Sequence, residues 1–325
     1  MIKQEDILNG IELFNLPNEP NNYLIDGILW EQQTIMILAK EKVGKSIFAL
    51  QMACALSSGE SFLSEYEVSE PMNVLYIQTE SNRPETIQRL KSMLAVNGVT
   101  WNPDNFNFLL SDNIALDTNK GYFALVNRIK QKGIMPRVII IDPLYMSMIG
   151  SLNDDLCVRN ICNNIRKLIL LYNCAVVIVH HEHRPKYDIY HVKMDEGDNA
   201  IMGSFALKAY MNHILHLRHK KDAVRSLTCN TQRSLRVIKD MDIELISEPL
   251  HYTIIGTVDH PSYYDKIKET LENYSTPMTA EELVRSTRLS ESAVRKSLGY
   301  LFKTKEITKT NPGKRPVLYT RRTTS

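Results

Sequence analysis

Cysteine is scarce in this chain and odd in number: Cys54, Cys157, Cys162, Cys174 and Cys229, five in 325 residues, none of them in Cys-x-x-Cys spacing. With no charged and apolar leader at the start, that usage speaks against a disulfide framework and for a reduced, cytoplasmic protein. Long apolar runs are missing too. The longest, such as VIIID and CAVVIV, fall far short of a bilayer's thickness, which argues against any association with a membrane. There is no internal repeat and no low-complexity tract.

Net charge is nearly absent as well, at +2, but it is unevenly spread. Residues 262–325 hold 13 Lys and Arg against 7 Asp and Glu, a surplus of six; the preceding residues hold 26 against 30, a deficit of four. The asymmetry describes a small basic module appended to a mildly acidic body, and the natural partner of such a module is nucleic acid. Hydrophobic residues make up 43% and charged residues 23%, which suits a globular chain with one large core and a small second domain.

After an N-terminal arm, residues 1–22, with turn formers (LPNEPNN), short β-rich runs alternate with helix-period segments. This alternation predicts a mostly parallel α/β sheet. Strands are expected near Thr34–Leu38, Asn73–Gln78, Phe106–Leu110, Arg137–Ile141 and Ala175–Val179, each apolar almost throughout, as strands covered on both faces are. Helices are expected near Lys45–Ser58, Arg83–Val96, Lys120–Lys132 and Asp155–Tyr172. From about Met211 to Thr257, the pieces HILHLRH, VRSLTCN, LRVIK, IELIS and YTIIGTV predict antiparallel strands that finish the sheet. The large domain then covers 23–258, and DHPS at 259–262 reads as a linker. In 263–325 three helices are expected, over Tyr263–Tyr274, Thr279–Thr287 and Ser290–Lys305, followed by the hairpin-like tail EITKTNPGKRPVLYTRR. Thr279 and Glu282 have capping-box spacing. Three helices and a basic hairpin resemble a winged helix-turn-helix.

The stretch AKEKVGKS, Ala39 to Ser46, lies between an apolar run (TIMIL) and a helix-forming one (SIFALQMACAL). It is a phosphate loop lacking its first glycine. Such a loop works because backbone N–H groups at a tight turn and a helix N-terminus face the anion, while lysine reaches the β- and γ-phosphates and the hydroxyl binds Mg²⁺. Ala39, Lys40, Glu41, Lys42, Val43, Gly44, Lys45, Ser46 and Ile47 form the candidate ATP-binding segment, with a lysine-rich turn before an ordinary helix as the bland alternative. Glu80 follows a second strand in VLYIQTESNRPET, at the carboxyl edge where open α/β folds bind ligands, placed to orient or deprotonate an attacking water. Asp142 ends the strand RVIIID, as a carboxylate serving Mg²⁺ does. CAVVIVHHEHR ends in His180 and His181, either a γ-phosphate sensor or, with His183, His191, His213, His216 and His219, part of a metal cluster. The following loop, Glu182–Gly203, is long and polar and carries Arg184 and Lys186, candidates for touching single-stranded DNA.

Four blocks together resemble the RepA-type branch of the RecA/DnaB-like ATPases, the hexameric replicative helicases and related ATPases of plasmids and phages: LAKEKVGKSIFALQMACALSSGESFL, VLYIQTESNRPETIQRL, VIIIDPLYMSMIGSLNDD, and VVIVHHEHR with the later AIMGSFALKAYMNHILHLRH. They span roughly Tyr23 to Leu235. The resemblance implies a RecA-like core that hydrolyses ATP with Mg²⁺ at the interfaces of a homo-oligomer, a hexamer foremost. It makes Lys45 and Ser46 the ligands of triphosphate and Mg²⁺, Glu80 the catalytic carboxylate, Asp142 the metal carboxylate and His181 the sensor, with Gly203-Ser204 the small turn after the loop. It also implies an arginine given to the neighbouring subunit, matched by Arg233 in LTCNTQRSLRV, with Arg218, Arg225 and Arg236 in competition. Ala39 for glycine and the lysine-containing KEK that fills the loop, where relatives often have small residues or prolines, depart from the pattern.

The resemblance leaves 262–325 unaddressed. A winged helix there offers Arg285, Arg288, Arg295 and Lys296 to duplex DNA from its helices, and Lys309, Lys314, Arg315, Arg321 and Arg322 from its wing, unless it docks protein instead. A helicase or replication ATPase of a plasmid, phage or other mobile element is the expected function. An ATP-switched DNA-binding regulator and a recombinase-like filament are the alternatives.

Overall fold

The computed structural model describes residues 8–15, 22–96, 99–111, 114–183, 201–203, 205–229, 238–257, 263–274, 276–287, 289, 291–303, 306–309 and 317–321. The chain divides into two compact units, Met1–Val258 and Asp259–Ser325.

In the first unit, a short helix α1 (Gly10–Phe14) is followed by a two-stranded ribbon, β1 (Tyr23–Ile25) and β2 (Leu29–Trp30). Then come β3 (Thr34–Ala39), α2 (Lys45–Ser58), β4 (Val74–Gln78), α3 (Arg83–Leu94), β5 (Phe106–Leu110), α4 (Asn119–Lys132), β6 (Val138–Asp142), a 3₁₀ turn at Leu144–Ser147, α5 (Asp155–Tyr172) and β7 (Ala175–His181). The unit ends in α6 (Phe205–Tyr210), β8 (His213–Lys221), β9 (Val224–Cys229), β10 (Met241–Ser247) and β11 (Leu250–Thr257). Helix starts are written in short side chains: Asn82, Thr118 and Asp154 each accept a backbone N–H from the first turn of α3, α4 and α5.

Nine strands form one sheet in the order β11-β10-β9-β8-β3-β7-β6-β4-β5. Every residue of β3, β4 and β6 is buried, because helices cover both faces. The period of two sorts the side chains: Ile35, Ile37, Tyr76, Ile140, Val177 and Val179 pack on the α2 side, and Met36, Leu38, Ile77, Ile141, Val176 and Ile178 pack on the α5 side. Helix α2 is buried along most of its length, since β11 packs against it as well as the sheet.

The antiparallel finish begins one strand later than the sequence pattern suggests. β8 lies parallel to β3, and only β9, β10 and β11 are antiparallel. The reason is its long connection from β7: a crossover returns the chain in the same direction, where the short gaps from β8 to β9 and from β10 to β11 cannot. Most of LRVIK lies outside the described residues, and its described members Ile238 and Lys239 are not in a strand.

The second unit holds α7 (Tyr263–Asn273), β12 (Met278–Thr279), α8 (Ala280–Thr287), α9 (Glu291–Lys303), β13 (Ile307–Lys309) and β14 (Leu318–Arg321), with the strands in the order β12-β14-β13. Ile267, Leu271, Leu283, Val294, Leu298 and Leu301 form its core. The capping box is made: Thr279 N–H donates to the Glu282 carboxylate at 2.7 Å, and Glu282 N–H donates to Thr279 Oγ1 at 3.2 Å.

Candidate nucleotide-binding site

Strands β3, β4, β6 and β7 end at one edge, with Gln78 paired to Asp142 and Ala39 paired to His181 in register. Strand parity then divides the polar residues. Gln78, Asp142 and His181 continue the α2-side rows, whereas His180 continues the row facing α5. The tandem histidines are therefore separated by the pleat alone.

Ala39 is the last residue of β3 and is fully buried in extended backbone, which is why alanine serves where glycine is expected. The left-handed positions of the loop are Lys42, at φ 62°, and Gly44, at φ 105°. Glu41 and Lys42 point outward, Val43 packs into the core, and Ile47 packs against it.

Lys45 is folded over the loop, donating to the carbonyls of Ala39 at 3.1 Å and Lys40 at 2.7 Å and to His181 Nδ1 at 3.2 Å. Burial lowers its pKa to about 8 against the opposing pull of Asp142 and Glu80. With Lys45 as donor, His181 carries its proton on Nε2, and burial with the neighbouring ammonium holds the ring below its ordinary pKa.

Ser46 Oγ donates to Asp142 Oδ1 at 3.1 Å, while Oδ2 accepts from Tyr76 at 2.6 Å and Gln78 at 3.3 Å. Asp142 is 1% exposed, and burial pushes its carboxyl up despite those hydrogen bonds. All three donors are uncharged. A buried carboxylate beside a serine hydroxyl is an oxygen donor set that fits Mg²⁺. Gln78 Oε1 accepts the N–H groups of Glu80 at 3.0 Å and Ser81 at 3.3 Å, so one side chain couples the turn carrying Glu80 to Asp142. From the 3₁₀ turn, Tyr145 donates to Glu80 Oε1 at 3.4 Å and sets its ring edge against His181, 5.2 Å between centroids. Lys45, Ser46, Glu80, Asp142 and His181 are thereby joined in one network.

Tyr76, Gln78 and Tyr145 were not singled out by sequence reasoning. Tyr76 and Gln78 carry a signal, their even spacing with the buried row of β4; Tyr145 carries none. Two further contacts brace β7. His216 Nε2 and the Glu182 carboxylate make a buried hydrogen-bonded contact, and His180 Nε2 bonds the carbonyl of Met202 at 2.8 Å. Burial lowers the His180 pKa to about 4.

Arg225, a competitor for the role of the donated arginine, is 7% exposed and donates to the Val43 carbonyl of its own loop at 3.1 Å. That contact removes it from the competition. Arg184, Lys186, Ser204, Arg233, Arg236, Lys314 and Arg315 lie outside the described residues, as does the side chain of Lys296. Arg295 is exposed on α9 and pairs with Glu291. Among the described residues no three His, Cys, Asp or Glu side chains are grouped to hold a metal, and no described helix is long and apolar enough to cross a membrane.

A strand, phosphate loop and helix at the carboxyl edge of a mixed sheet, with Lys45 bonded to His181 and Ser46 to Asp142, define a P-loop core with a RecA/DnaB-like fold. The chain belongs to the AAA domain family, whose model matches residues 8–186. One solved ATPase domain aligns with TM-score 0.51 at 15% identity, covering 68% of this chain and 84% of its own. A DnaB-like replicative helicase, solved in a study of its interactions with primase, aligns with TM-score 0.50 at 15% identity over 68% of this chain, which spans 58% of that protein. A KaiC-like protein from Pyrococcus horikoshii aligns at TM-score 0.48 and 12% identity, over 71% of this chain and 93% of its own. No curated protein matches the chain in sequence.

Proposed function

We propose that this chain is an ATP-hydrolysing motor of the RepA-type branch, acting on DNA as a cytoplasmic helicase or replication ATPase of a plasmid, phage or other mobile element. The network joining Lys45, Ser46, Glu80, Asp142 and His181 carries the reading. Lys45 would neutralise the β- and γ-phosphates once its ammonium leaves the Ala39 and Lys40 carbonyls. Ser46 and Asp142 would hold Mg²⁺, which supplies charge neutralisation on the triphosphate when bound. Glu80, oriented by Tyr145, would position the attacking water and accept its proton. His181 would exchange its bond to Lys45 for one to the γ-phosphate and pass that change to the loop after β7.

Arg233 would complete the neighbouring subunit's site, making hydrolysis depend on a homo-oligomer, a hexamer foremost. Arg184 and Lys186 would touch single-stranded DNA. Residues 263–325 would act as a winged helix on duplex DNA through Arg295, Lys296, Lys314 and Arg315. The likeness to a solved ATPase domain and to a DnaB-like replicative helicase supports this reading through the fold. ATPase rates of the full chain with no DNA, single-stranded DNA and duplex DNA, beside its mass in solution with ATP, test it. Stimulation by single strands in a ring supports the helicase. Slow hydrolysis with sequence-specific duplex binding supports the ATP-switched regulator instead, and a filament supports the recombinase-like alternative.

A further inference from the structure

The carbonyl of Val43 accepts two hydrogen bonds from the antiparallel half of the sheet: Arg225 Nε of β9 at 3.1 Å and Tyr252 Oη of β11 at 2.8 Å. Both donors are buried, at 7% and 1% exposure. Each is itself held. Arg225 also donates to the Asp222 and Val224 carbonyls at 2.9 and 3.1 Å. Gln51 of α2 grips the Tyr252 backbone twice, donating to its carbonyl at 2.9 Å and accepting its N–H at 2.7 Å, and Phe48 meets the ring edge to face, 5.7 Å between centroids. A Cβ at Gly44 would run into the Tyr252 hydroxyl, so this tyrosine demands glycine there as much as the positive φ does.

A trans peptide sets its C=O and N–H in opposite directions, and the Val43–Gly44 bond is trans. Drawing the Val43 oxygen toward β9 and β11 therefore turns the Gly44 N–H away from them. We propose that Arg225 and Tyr252 are positioning residues for triphosphate binding, holding this peptide in the orientation that presents the Gly44 N–H to a phosphate. Neither side chain touches the nucleotide in this assignment. They act through one carbonyl, keeping the loop in its binding form beforehand, so that binding does not have to order it.

The inference rests on the ATP reading, and the test separates the two. Binding of MgATP to the unaltered full chain is measured first; no binding overturns the ATP reading and this inference with it. Tyr252→Phe keeps the ring and its packing but deletes the donor, and Arg225→Met keeps the length and deletes the guanidinium. Each is expected to raise Kd and KM for MgATP about fivefold, the size of one lost hydrogen bond, with kcat at saturation unchanged. Because both donors serve one acceptor, the double variant raises Kd by more than the product of the two single effects. A merely structural role lowers kcat through loss of folded protein and leaves Kd alone. An unchanged Kd in Tyr252→Phe, with the unaltered chain binding normally, overturns the inference alone, and it decides the matter by itself if Arg225→Met does not fold.

Discussion

On one side of β3 the sheet is parallel, and its strands finish at the same edge in Gln78, Asp142 and His181. On the other side β9, β10 and β11 alternate in direction, and what they bring to the phosphate loop, Arg225 and Tyr252, meets the carbonyl of Val43. The difference follows from strand direction. Parallel strands deliver consecutive carboxyl ends to a single edge, where their last side chains converge. Antiparallel strands present ends in turn, so this half meets the loop near the starts of β9 and β11 and supports its backbone. Chemistry on one side and support on the other should separate in experiment as kcat against KM.

The largest effect expected is from Glu80→Gln, in the parallel half. Turnover should fall about 10²- to 10⁴-fold, the usual loss for a general base, while MgATP binding measured directly stays intact. Full turnover in this variant would sink the assignment of Glu80.

The next concerns acid stability. His180 has a folded pKa of about 4 against an ordinary 6.5, so the unfolded chain binds more protons between those values. Stability is complete above pH 6.5 and is lost as pH falls toward 4, by about 3 kcal/mol at full effect. Urea titrations from pH 7 to 4 should show this loss, and His180→Gln should remove most of it. An equal acid loss in the variant would place the titration elsewhere.

Gln51→Leu breaks the link between α2 and Tyr252. It leaves the Tyr252 N–H and carbonyl without their side-chain partner and should cost about 2 kcal/mol of stability. KM for MgATP should also rise, since Tyr252 loses its anchor; a stability loss with unchanged KM would show that Gln51 only packs. The smallest change expected is from Lys220→Ala. Its 2.6 Å pair with Asp242 bridges β8 and β10 but leaves Lys220 about half exposed, so about 0.5 kcal/mol is expected from chemical denaturation, with neither kinetic constant moved.

Much of the parallel half was legible in the sequence. Apolar runs of strand length separated by helix-period segments place β3 to β7 within one or two residues, with Asp142 and His181 at strand ends and Lys45 and Ser46 opening α2. The direction of β8 was not legible, because local alternation reads the same in parallel and antiparallel neighbours. In the sequence Arg225 stood only among the arginines competing for the neighbouring subunit's site. Nothing in its surroundings in sequence announces a carbonyl 182 positions earlier. Tyr252 and Gln51 were hidden for the same reason, as their contact spans 201 positions.

By itself the sequence determined the alternation of strands and helices, the helix starts at Asn82, Thr118, Asp154 and Thr279, and the residues of the phosphate loop, because each depends on neighbours a few positions away. Only the tertiary structure decided which face each polar strand end occupies, which carbonyl Arg225 and Tyr252 hold, and that Ala39 suffices where glycine was expected. Those outcomes depend on sheet order and register. Both are set by burying two apolar faces at once, a condition that no short stretch of chain contains.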